Sequence, residues 1–238
     1  MVVIGLSVLL LLLFGLGRIG ERGRVIKCQA NLMALGNAVQ SFALEHSDAL
    51  PPAVIETKQM VWDSQIVPYL PFNLVKKGID PVFKCPSDTL PHARARSYTM
   101  SGSNMRSENW PPGPDNATGV GLLWNQETIS RLLGEGAVEA AGTNVDTLAL
   151  VKRSCIPVPS ATLVLTELIN SENNLKGSRW ASIESPGAQL EQLLHDNGRV
   201  HHGRYNYLML DGHVEFMSPL QAGDSYGNMN MWSIRKSD

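Results

Sequence analysis

The side chains best suited to chemistry gather near the C-terminus. Four of the six histidines fall at His195, His201, His202 and His213, with Asp196 and Asp211 beside them. Imidazole nitrogens and carboxylate oxygens suit zinc or a related ion, which makes His201, His213 and Asp211 a candidate cation set for a metal-dependent hydrolase. Spacing opposes that grouping. His201 lies ten residues before Asp211, at the far end of a strand of roughly 20–25 Å by the rise per residue, whereas His213 adjoins the turn. The plainer expectation is that His201 hydrogen-bonds a backbone group or a carboxylate, with Glu167 the candidate, and that Asp211-Gly212 is a turn. Nucleophilic chemistry has less support. Cys85 precedes Pro86 with no evident partner base, Ser87 and Ser160 stand outside any G-x-S-x-G elbow, and the three cysteines, Cys28, Cys85 and Cys155, form no C-x-x-C pair that would point to structural zinc. The expected catalytic, cofactor-binding and metal-site residues are therefore none, and the chain is expected not to be an enzyme.

The elements that would position these residues follow from composition and periodicity. Hydrophobic residues are 43% of the 238 and charged residues 18%, which excludes a disordered chain. A net charge of −2 gives no general attraction to nucleic acid. Residues 1–17 carry no charge before Arg18 and predict a transmembrane anchor at the short limit for a span. The basic residues Arg18, Arg22, Arg24 and Lys27 follow it. Over 25–46, Cys28, Leu32, Leu35, Val39 and Phe42 recur at helical spacing, so 18–48 is expected to continue the first segment as an amphipathic helix. Gly20 and Gly23 would weaken the junction, and Leu50-Pro51-Pro52 would end the helix.

Beyond residue 49 the chain reads as a loop-rich α+β body with 101–121 and 134–147 as loops. A weak helix is expected at 125–133 and a buried strand at 161–166. A further helix should start at Ser185-Pro186, carry Leu190, Leu193 and Leu194 on one face, and stop at Asn197-Gly198. The end predicts a β-hairpin with Asp211-Gly212 as a two-residue type I′ turn. That register pairs Leu210 with His213, Met209 with Val214, and Tyr207 with Phe216. It makes Tyr205, Tyr207, Met209, Val214 and Phe216 the core face, opposite Asn206, Leu208, Leu210, His213 and Glu215.

Taken in order, several blocks resemble the bacterial prepilin-type processing-associated H-x(9)-D-G proteins. His201 is followed by nine residues and Asp211-Gly212. Cys28-Gln29-Ala30-Asn31-Leu32 with Leu35-Gly36 resembles the family's C-x-x-N-L helix, and Pro51-Pro52 sits at its end. Trp62 with Ile66-Val67-Pro68-Tyr69-Leu70 is similar to its W…L-P-Y-L segment. Cys85-Pro86-Ser87-Asp88 and Ser97-Tyr98-Thr99-Met100 resemble C-P-S-D and S-Y-x-M, and Val158 to Glu167 resembles P-S-x-T-L-L-x-x-E. The departure is at the start: no glycine precedes an F-T-L-I-E stretch, although Met1-Val2-Val3-Ile4 looks like the inside of a prepilin leader.

The resemblance implies an α+β, pilin-like fold, with one long N-terminal helix, half in the membrane, packed on an antiparallel sheet with long loops. It implies a structural or assembly protein of a type IV pilus or type II secretion-like system. The domain over 49–238 would be extracytoplasmic, held to the inner membrane by a single pass through the lipid bilayer at 1–17, with other pilin-like subunits or secretion-system proteins as partners. The alternative is an anchored binding module for carbohydrate or another envelope ligand, using Trp110, Trp124, Trp180 and Trp232 for stacking. An oxidising compartment would let Cys28 and Cys85 pair, but the connectivity of three cysteines stays open.

Overall fold

The computed structural model describes residues 2–55, 59–71, 74, 81–103, 119–124, 151–183, 189–191, 200–224 and 231–232, with backbone alone for 2–19, 103, 122–124 and 224. The expected helix at 125–133 and loop at 134–147 lie outside these residues. So does most of the expected 185–197 helix, of which Gln189, Leu190 and Glu191 are helical.

One helix, α1 (Val2–Glu45), runs 44 residues without a break through Gly20 and Gly23, about 66 Å at 1.5 Å per residue. Glycine costs a helix only about 1 kcal/mol relative to alanine, too little to interrupt one whose far half is buried. Cys28, Leu32, Leu35, Val39 and Phe42 all turn into the core, as their spacing predicts. The helix stops before Pro51-Pro52. Ser47 and Asp48 take left-handed φ of 54° and 71°, and the Asp48 amide donates back to the Ala43 carbonyl at 2.8 Å, a left-handed helix ending.

The anchor expected over 1–17, and the inner-membrane placement built on it, are corrected: among the described residues no helix is long and apolar enough to cross a membrane. The reason is polarity: in α1 from Gly20 onward, Glu21, Arg22, Arg24 and Lys27, then Gln29, Asn31, Asn37 and Gln40, interrupt every apolar stretch of spanning length.

The remaining elements are β1 (Val54–Ile55), β2 (Met60–Val61), α2 (Trp62–Ile66), β3 (Tyr98–Ser103), β4 (Gly121–Trp124), β5 (Leu163–Glu167), β6 (Ser182–Ile183), β7 (Tyr205–Met209), β8 (Val214–Met217) and α3 (Pro219–Asp224). The strands pair in the order β2-β1-β4-β3-β5-β7-β8, with β6 also on β3. The fold is α+β as expected, but the sheet is mixed rather than antiparallel, because β4 runs parallel to both β1 and β3, and β6 parallel to β3. The loop expected over 101–121 is strand at both ends, residues 101–103 and 121. Gly102 and Gly121 pair there, and a Cβ on Gly102 would fall 2.5 Å from the Ser182 side chain. The glycines therefore mark a close approach of strands and not a loop.

The hairpin is also corrected. Leu208 faces Val214, Tyr207 faces Glu215 and Asn206 faces Phe216, one residue out of the expected register. The Gly212 amide donates to the Met209 carbonyl at 2.9 Å. Of the two turn residues Gly212 has positive φ, at 98°. This is a three-residue loop ending in a left-handed glycine. Parity misled because β7 is buried on both faces. Leu208 lies under α1, where a Cβ on Gly36 would come within 2.8 Å of it, and on the other face the Tyr207 ring meets Trp232 edge-on.

Candidate functional site

β7 is preceded by a tight turn, Val200 to Arg204, in which His201, His202 and Gly203 have φ of 51°, 59° and 79°. Three consecutive left-handed residues, two of them bearing side chains, are strained backbone of the kind that gathers at functional sites. The turn seats the His201 ring in the core, its side chain fully buried.

Three elements meet that ring. From α1, Glu21 Oε1 lies 2.6 Å from His201 Nδ1. From β5, Glu167 Oε1 lies 3.1 Å from Nε2. From the segment before β3, Cys85 Sγ is 3.3 Å from the same Nε2, and Cys85 is bonded to Cys28 of α1 as a disulfide with a Cα–Cα distance of 5.3 Å. The other Glu167 oxygen accepts from the Asn206 amide at 2.8 Å and from its side chain at 3.1 Å. Burial disfavours the charged imidazolium, but hydrogen bonds and charge from Glu167 and then Glu21 outweigh it, so the His201 pKa is raised. Burial works in the same way against the Glu21 carboxylate. Its hydrogen bonds from His201, Arg24 and Ser87 prevail, and its pKa is lowered.

Around this centre stand residues of the blocks quoted above. The Cys85 amide donates to Ser97 Oγ at 2.9 Å, and Ser97 Oγ donates to Asp88 at 2.6 Å. Ser87 Oγ donates to Glu21 at 3.1 Å. Asn31 Nδ2 donates to the Lys84 carbonyl at 3.1 Å and to Tyr98 Oη at 3.3 Å. Buried Asp88 also holds His92 Nε2 at 2.9 Å. One donor atom from each of Cys28, Cys85, Glu167 and His201 lies within 4.8 Å of the others, and all four residues are buried. Two sulfurs, an imidazole nitrogen and a carboxylate oxygen can exchange electrons, carry a proton, or ligate a soft-to-borderline cation.

The sequence-derived cation set is not assembled. His213 contacts Asp211 at 2.6 Å and Glu215 at 3.2 Å in an exposed group on the hairpin, separate from buried His201. The expected His201–Glu167 contact is present. His195 and Asp196 lie outside the described residues. Cys155 is free and exposed, and Ser160 is exposed. Of the tryptophans considered for sugar stacking, Trp232 is buried and Trp180 half-buried, while Trp110 and the side chain of Trp124 lie outside the described residues. Sequence reasoning missed Glu21. A lone acid in a basic stretch is its only signal.

The core also holds a separate buried ion pair. Arg96 Nη1 meets Asp63 Oδ2 at 2.6 Å, both side chains being inaccessible to solvent. Its other nitrogens donate to Asn173 and to the Gly177 and Arg179 carbonyls. Comparison of the chain with family models, curated proteins and solved structures found no match to any of the three.

Proposed function

We propose that this protein is a pilin-like structural or assembly subunit, of the kind found in type IV pilus or type II secretion-like systems, and not an enzyme. The observation that carries this is the shape of α1. A single helix of 44 residues buries Cys28, Leu32, Leu35, Val39 and Phe42 on one face. On the opposite face it exposes Ile26 at 64%, Met33 at 51% and Leu44 at 72%. At 100° per residue these three fall within about 20° of one line. A line of exposed apolar side chains facing away from a complete core suits helix-on-helix packing between copies. The order of the sequence blocks supports the same reading.

The test is a photo-reactive amino acid placed at Met33 of the full chain and activated in cells. Self-adducts that form a ladder of multiples are expected. They should diminish when Ile26 and Leu44 are both changed to glutamate while the melting temperature of the protein stays unchanged. Absence of self-adducts, or a ladder indifferent to those changes, would overturn the proposal.

A further inference from the structure

The disulfide lies in unusual company for a structural cross-link. Disulfide sulfurs are weak acceptors and ask for apolar neighbours, yet here a buried imidazole nitrogen and a buried carboxylate oxygen stand against them: His201 Nε2 at 3.3 Å from Cys85 Sγ and 3.1 Å from Glu167 Oε1. Burying both groups costs several kcal/mol. Each is then held by a further partner. Glu21 fixes Nδ1 of His201 at 2.6 Å, so that Nε2 is the nitrogen turned toward the sulfurs. Asn206 occupies Oε2 of Glu167 through two hydrogen bonds, so that Oε1 is the oxygen turned toward His201 and the sulfurs. A carboxylate behind a histidine, and hydrogen bonds behind a carboxylate, are the supports that orient ligands around a metal.

We propose that in its dithiol form the protein binds one zinc-class divalent cation through Cys28, Cys85, His201 and Glu167. The disulfide and the metal site are then alternative closures of the same four-residue centre, independent of whether the chain assembles into filaments. A small-molecule or protein dithiol supplies the two electrons. Its two thiols become a disulfide, the Cys28–Cys85 bond breaks, and two protons pass to the freed sulfurs. The cation then displaces both thiol protons and takes four donors, S, S, N and O, a set that selects zinc over magnesium or calcium because thiolates are soft. Donor atoms already within 4.8 Å of one another need only side-chain rotation to close on an ion. Two cavities adjoin the buried centre. A cavity of about 270 Å³ is lined by Glu21, Pro86, Ser87, Val200 and His201, and one of about 600 Å³ reaches Cys85 beside Lys27, Lys84 and Arg94.

The experiment uses the full chain with Cys155→Ser, which removes the remaining free thiol. It is reduced anaerobically with a phosphine and titrated with cobalt(II) as a spectroscopic stand-in for zinc. One equivalent bound, with thiolate-to-cobalt charge transfer and the visible bands of a tetrahedral site, both displaced by zinc, is expected for the reduced protein and not for the oxidised. His201→Gln should abolish these bands. Glu21→Gln, which removes no ligand but alters the support behind His201 Nδ1, should weaken binding about 10- to 100-fold. If reduction unfolds the chain, zinc must restore its circular dichroism. Reduced protein that stays folded without the cobalt bands, bands unchanged in His201→Gln, or unfolded protein that zinc does not rescue would each overturn the proposal.

Discussion

At the scale of single residues, the molecule places charge where water cannot reach it and meets each charge with several partners. Arg96 is the clearest case. Burial lowers its pKa, and the adjacent Asp63 carboxylate opposes that effect. Asp63 also accepts from the Lys176 amide at 3.0 Å. Replacing Arg96 with methionine keeps most of the volume and strands a buried carboxylate, so Arg96→Met should cost about 3–5 kcal/mol, read by urea denaturation. Arg96→Met combined with Asp63→Asn should recover part of that loss. His213 is the exposed counterpart. Slight burial lowers its pKa, but hydrogen bonds and charge from Asp211 and Glu215 raise it above its ordinary 6.5. A group whose folded pKa is raised contributes stability that is complete below the unfolded value and is lost as pH rises through the folded value. The imidazole resonances of His213 should therefore titrate with a midpoint above 6.5, and Asp211→Asn should bring that midpoint down.

At the scale of elements, two glycines set how strands and helix meet. Gly212 closes the β7–β8 loop at φ 98° with open space around it, so backbone conformation is what demands glycine there. Gly212→Val should destabilise by about 1–3 kcal/mol, visible as a lower melting temperature with little change in the native circular dichroism. Gly36 answers to a different constraint. It is helical, and a Cβ there would approach Leu208 to 2.8 Å, so Gly36→Val should push α1 from β7. The expected cost is about 1–3 kcal/mol as overpacking. Leu208→Ala in the same chain should relieve part of it, a coupling that a double-mutant cycle measures.

At the scale of the whole molecule, the Cys28–Cys85 bond ties α1 to the segment leading into β3 across a sequence separation of 57. Closing a loop of that length in the unfolded chain stabilises by about 4 kcal/mol on the chain-entropy estimate. Reduction, or Cys28→Ser with Cys85→Ser, should lower the midpoint of chemical denaturation by a corresponding amount. The α1 helix should detach from the sheet before the strands separate, which hydrogen exchange along 28–42 would register.

What the sequence determined is what local periodicity and chain order can encode. The apolar spacing from Cys28 to Phe42 was enough for a buried helical face, and the β-branched run after Ala161 for a buried strand, Leu163–Glu167. The contact between His201 and Glu167 was legible as a polar group in need of a carboxylate. Tertiary structure decided the rest. The hairpin register slipped by one residue because both faces of β7 are covered, which removes the polar–apolar alternation that parity relies on. The mixed character of the sheet was hidden because β4 meets each of its parallel partners, β1 and β3, over only two residue pairs, too short a pairing to leave a sequence signal. The four-residue centre was hidden because Cys28, Cys85, Glu167 and His201 come from a helix, a loop, a strand and a left-handed turn. Only packing α1 across the sheet puts two sulfurs, a nitrogen and an oxygen within reach of one another, and no spacing motif records a site assembled from so many separate parts of the chain.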